Sequence, residues 1–152
     1  IQNRNKIPKI FIPFLLLTVI IETIGWWGIS HRLPGRYAMY NVFTTLEFIF
    51  YAILFRIHLT KKKFKSVALL FIPLFILAAI LNTFFIQGLN KTFNTYTFLL
   101  GSFFIVVFCC CFFYESVLPD KIDQQLSKQP FFWICSGLLI YYLGSVIINA
   151  LF

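Results

Sequence analysis

The sequence predicts an all-α bundle of five membrane-spanning helices, and three observations lead there. The 152 residues are 60% hydrophobic and 20% aromatic with only 12% charged, more apolar surface than a soluble domain of this size can hide. The apolar residues gather into five runs, each long enough to cross ~30 Å of hydrocarbon at ~1.5 Å per residue. The charges sit almost entirely between those runs. Residues 1–152 therefore read as one integral membrane domain, with nothing outside the runs long enough for a soluble one.

The first span is expected over residues 10–29, after a basic lead-in with Arg4, Lys6 and Lys9. Pro13 falls in its first turn, where a missing N–H costs little because no earlier carbonyl needs it. Trp26 and Trp27 close it with side chains that favour a lipid–water interface, and Tyr37 and Tyr40 beyond the turn read as further anchors. A cleaved leader is not expected. The run is too long, contains Glu22 and lacks a small-residue cleavage site. Pro34-Gly35 marks a turn into the second span, 39–55, which carries Glu47. A basic loop follows with Arg56, His58, Lys61, Lys62, Lys63 and Lys65. Both histidines, His31 and His58, lie at span boundaries and are expected to be solvated.

The third span is expected over 67–86, with Pro73 early and Asn82 late, and a short polar connection holds Gly88 and Lys91. The fourth is expected over 95–114. Glu115, Asp120, Lys121, Asp123 and Lys128 then form a charged loop around Pro119 and Pro130. The fifth covers 131–152, where Gly137 and Gly144 fall on one helical face and invite close helix contact. Cys109, Cys110, Cys111 and Cys135 all fall inside spans, where cysteine serves as a small hydrophobe. Neither their spacing nor the histidines form a metal-binding pattern. The chain starts at Ile1 and ends inside an apolar run, as a piece of a longer protein would.

The net charge of +8 orients the chain rather than binding nucleic acid, since no folded basic face exists to carry such binding. Ten of the thirteen lysines and arginines fall on one side of the alternating topology and three on the other. The excess places the N-terminus in the cytoplasm and the C-terminus on the outer side of the cell membrane. Anionic lipid is the natural partner of the basic loops.

An internal repeat is visible. Phe11-Ile12-Pro13 matches Phe71-Ile72-Pro73, and at the same offset of 60 Glu22 meets Asn82 and Thr23 meets Thr83. The second and fourth spans align at an offset of 53, with Asn41 on Asn94, Thr44 on Thr97, Phe50 on Phe103 and Phe55 on Phe108. Phe- and Ile-rich helices also align by chance. If the repeat is real, its unit is a helical hairpin repeated in parallel, and span five opens a third copy that needs one more span.

The candidate chemistry is acidic. An acid in hydrocarbon costs on the order of 2–4 kcal/mol even on lenient insertion scales, so it faces protein or water and often has a role. Glu22 and Glu47 lie at matched depth, ~10–12 Å below the outer boundary, on helices whose short connection makes them antiparallel neighbours. Thr18 and Tyr51 match about one turn deeper. Asn82, Ser102, Ser145 and Asn149 share the outer half, while the inner half is mostly Phe, Leu, Ile, Val and Cys. The expected site is an outward-facing polar pocket drawing on Glu22, Glu47, Thr18, Tyr51, Asn82 and Asn149, for a cation, a proton or an amine-bearing ligand. A close carboxylate pair would exchange protons as one coupled unit. The structural alternative makes these residues helix glue, with Arg32 or Arg36 pairing to Glu22.

No HExxH, GxSxG or paired-glutamate motif appears, so no enzymatic activity and no cofactor are expected. The run Tyr40-Asn41 followed by Glu47-Phe48, then Pro130-x-x-Trp133 with Gly137, Tyr141 and Gly144, resembles the multi-pass membrane regions of bacterial sensor histidine kinases. That resemblance implies a membrane-embedded sensor passing its state to a cytoplasmic output domain; a cytoplasmic signalling partner or a homo-oligomer is the expected protein partner. The chain itself carries no kinase or dimerisation helix. A small ion- or proton-coupled transporter using Glu22 and Glu47, and a structural assembly subunit, are the alternatives.

Overall fold

The computed structural model describes residues 11–31, 33–117 and 128–151. The basic lead-in, Arg32 and residues 118–127 lie outside them, as does Phe152. Five helices are long and apolar enough to cross a membrane: α1 (Phe11–Ser30), α2 (Arg36–His58), α3 (Lys62–Leu81), α4 (Thr95–Val117) and α5 (Pro130–Leu151). Helices α2 and α3 begin earlier than the apolar runs, at Arg36 rather than 39 and at Lys62 rather than 67. The run marks where hydrocarbon begins. The helix continues until its backbone donors find another partner.

The helix ends follow local chemistry. Gly35 enters α2 at φ 80°, a left-handed conformation that suits glycine, and its carbonyl accepts the Met39 N–H. At the other end of the bundle, the Glu115 carboxylate from the last turn of α4 accepts the Thr60 N–H (2.7 Å), the Thr60 hydroxyl (2.8 Å) and the Lys61 N–H (2.6 Å). A negative group at those exposed donors stabilises the start of α3. The lysine run is thus anchored by its backbone, and Lys61 lays its ammonium over the Tyr114 ring at 4.7 Å. At its far end α3 widens into a π-helical turn over Asn82–Ile86, closed by the Gln87 N–H on the Asn82 carbonyl. Gly88, with φ 77°, then turns the chain towards α4.

Helices α2 and α4 form the central seam. They run in the same direction, in register, touching at three positions spaced by seven. Asn41 Oδ1 accepts the Asn94 N–H, the Phe48 ring lies on Gly101, and Phe55 meets Phe108 at 5.7 Å. Seven-residue spacing is what two parallel helices need to keep one face together. These pairs are also separated by 53 residues, the offset of the proposed repeat. Helices α3 and α5 flank the seam. Phe71 of α3 packs on Phe108 at 5.5 Å, and Phe131 of α5 packs on Phe55, likewise at 5.5 Å. Burying so many rings is worth roughly 0.5–1.5 kcal/mol per aromatic pair beyond area.

Two expectations about packing fail. Gly137 and Gly144 have open space at their Cβ positions, so no neighbouring helix closes on either. Close approach occurs at Gly25, under the Tyr40 ring, and at Gly101, under Phe48. Glycine permits contact, but only the neighbouring bulky ring decides which glycine is used. His58 is not solvated. It is 4% exposed, bonded through Nδ1 to the Leu54 carbonyl oxygen and stacked on Phe131 at 3.8 Å. The chain rises one turn beyond the apolar run, and α5 covers it there.

Candidate functional site

Helix α1 is the least buried of the five. Phe14 holds it, stacking on Phe50 at 3.7 Å, and further along Tyr40 fits against Gly25. Towards the end of the bundle that carries the α1–α2 turn, α1 and α5 stand apart. Between them opens a cavity of about 330 Å³. Glu22 and Ile29 come from α1; Tyr37, Tyr40, Thr44 and Glu47 from α2. Phe93 and Phe98 line the α4 side, and Tyr141, Ser145 and Asn149 the α5 side.

Both acids therefore reach one cavity, and each is held by a tyrosine. The Tyr40 hydroxyl lies 3.3 Å from Glu22 Oε2 and 3.2 Å from the Glu22 carbonyl oxygen, sharing one proton between them. The Tyr142 hydroxyl donates to Glu47 Oε1 at 3.2 Å. Tyr142 is itself fixed by Phe48 (5.5 Å), Tyr51 (6.2 Å) and Phe98 (6.4 Å), so Glu47 stands on a rigid aromatic base. Arg36 does not pair with Glu22. Its Nη1 donates to the Leu33 carbonyl and its guanidinium lies over the Tyr37 ring at 4.7 Å.

The other expected site residues divide. Asn149 lines the cavity, its amide donating to the Ser145 carbonyl. Thr18 donates to the Phe14 carbonyl of its own helix and is not among the lining residues. Tyr51 is buried behind the wall against Tyr142 and Phe14. Asn82 belongs to a separate cluster between α3 and α4, donating to Thr97 Oγ1 and Gln87 Oε1 at 2.8 Å each. Alongside it Asn94 donates to Thr83 Oγ1, and Asn41 donates to the Leu89 and Thr92 carbonyls. This second cluster ties the α3–α4 connection to α2. Equal depth in the membrane did not bring Asn82 to the acids because α3 lies on the other side of the seam.

Tyr142, Tyr40 and Tyr141 escaped the sequence reading as site residues; Tyr40 read as an interface anchor. A signal existed for the first. Tyr142, Ser145 and Asn149 are spaced by three and four, one face of a helix.

Comparison with known proteins finds no match: no family model fits the chain, and no curated protein or solved structure matches it. No homology to sensor histidine kinases follows from these comparisons. A polytopic bundle of five membrane-spanning helices stands.

Proposed function

We propose that this protein is a membrane-embedded, receptor-like module of a signalling system, which takes a small ligand into the cavity between α1 and α5. One observation carries the reading. Two carboxylates and a cluster of aromatic rings converge on a single open cavity, each acid pre-positioned by a tyrosine hydroxyl. Pre-positioned polar groups in a concave apolar wall are the usual form of a ligand site. The excess of basic residues in the loops on the opposite side puts this mouth on the outer face of the cell membrane, with the N-terminus inside.

The packing beneath the cavity favours sensing over transport. Below Glu47 the seam is filled by Phe48, Phe55, Phe108, Phe112 and Phe131, all buried. An ion path would need polar groups or water at that depth. Helix α1, the least buried span and held through Phe14 on Phe43, Phe50 and Tyr51 and through Tyr40 at Gly25 and Glu22, is the element best placed to move on occupancy and to signal to a partner. The test is Glu47→Gln in cells. Insertion and abundance stay normal while signalling by a partner kinase changes. Unchanged output at normal abundance refutes the receptor reading, and pH-dependent cation flux in liposomes that Glu47→Gln removes would replace it with transport.

A further inference from the structure

We infer that the cavity recognises an organic ammonium ion, a protonated or quaternary amine carried on a small apolar body. The inference rests on the receptor-like reading above and narrows its ligand to one charge and one shape. Charge comes first. Glu22 and Glu47 line the cavity, and among the described residues no lysine, arginine or histidine lines it and neither acid has a basic partner. Arg36, the nearest cation in sequence to the α2 wall, is engaged with Leu33 and Tyr37. Two carboxylates with no counter-charge among the described residues, in an apolar setting, attract a cation.

The walls say which kind. Tyr37, Tyr40, Phe93, Phe98 and Tyr141 surround the acids. Aromatic faces attract diffuse cations such as ammonium groups, and cages of such rings hold quaternary nitrogen. A hard metal ion instead asks for six or more oxygen ligands, roughly, at short distance. The hydrogen-bonding balance agrees. Ser145 donates its hydroxyl proton to the Tyr141 carbonyl, Asn149 its amide proton to the Ser145 carbonyl, and Tyr40 its proton to Glu22. These three donors are committed, whereas Thr44, Tyr37 and Tyr141 also bring hydroxyls to the lining; the two carboxylates are what favour a ligand carrying positive charge. A volume of about 330 Å³ accommodates an amine on a single ring but not a peptide.

The experiment is calorimetric titration of the full chain in phosphatidylcholine nanodiscs with four probes of similar size: benzylamine, benzyltrimethylammonium, benzyl alcohol and benzoate. The two cations bind and the neutral and anionic probes do not. Glu47→Gln weakens cation binding at least ~30-fold, as loss of a buried charge partner should, and Tyr141→Leu weakens it about tenfold through the lost ring face. Glu22→Gln provides a second acid variant should Glu47→Gln misfold, and Gly137→Ala, which faces open space, leaves binding unchanged. Stronger binding of benzyl alcohol or benzoate overturns the ligand class while leaving a receptor in place. Cation binding that depends on Glu47, together with a silent Glu47→Gln in cells, does the reverse. No binding of either cation at millimolar concentration overturns the inference outright.

Discussion

Adding one methyl group at Gly101 tests the central seam. A Cβ built there stands 2.5 Å from the Phe48 ring, well inside van der Waals contact. Phe48 cannot easily withdraw. It is 0% exposed and held between Phe75 (5.3 Å), Tyr142 (5.5 Å) and Phe98 (5.9 Å). Overpacking of a filled core costs about 1–3 kcal/mol. Replacing a mid-helix glycine by alanine returns about 1 kcal/mol of helix propensity. Gly101→Ala should therefore lose up to about 2 kcal/mol net, as much as a factor of about 30 in the folded-to-unfolded ratio. Gly137→Ala and Gly144→Ala carry the same propensity gain with open space around the new methyl, so they should be neutral or slightly stabilising. The assay is reversible unfolding of the three variants in one detergent, read by circular dichroism. Phe48→Leu in the Gly101→Ala background should recover part of the loss. If Gly101→Ala is as stable as Gly137→Ala, α2 and α4 do not meet at this point and the in-register seam is wrong.

Three further outcomes are expected. Asn41→Ala removes the partners of the Leu89 and Thr92 carbonyls and of the Asn94 N–H. With one buried and two partly buried backbone groups affected it should cost about 2 kcal/mol, and hydrogen exchange should rise in the α3–α4 connection before anywhere else. Glu115→Ala strips the start of α3 of its acceptor for Thr60 and Lys61. By analogy with helix caps it should lose about 1–2 kcal/mol, with Glu115→Gln intermediate in the same unfolding assay. Tyr142→Phe keeps the ring packing and deletes the hydrogen bond to Glu47. It should cost about 1 kcal/mol of stability, and a vibrational probe of the Glu47 carboxyl should shift while far-UV dichroism does not change.

The chain shows unevenly which residues meet. Helix α2 is legible because it mixes polar and apolar residues: Tyr40, Thr44, Glu47 and Tyr51 share one face, and that side turns inward. That Glu22 and Glu47 come to one cavity was readable from depth and a short turn. The glycines of α5 were misread because spacing shows where a close approach is permitted, not where a neighbour stands. Tyr142 was missed because a mid-span tyrosine fits ordinary helix packing equally well, and only its contact with Phe48 and its hydrogen bond to Glu47 show its role. Asn82 had the right depth and lay on the wrong side of the seam.

By itself the sequence determined five spans, their approximate limits and the depth of each polar group, because the cost of placing charge and backbone in hydrocarbon depends on composition and length alone. Only the tertiary structure decided which faces are buried. Helices α1, α3, α4 and α5 are apolar nearly all round, and lipid is as apolar as a Phe-rich core, so the chain carries little contrast between a surface that meets lipid and one that meets protein. Shape makes the choice instead: a ring over Gly101, a stack at Phe14, and two helices held far enough apart to leave both acids facing one cavity.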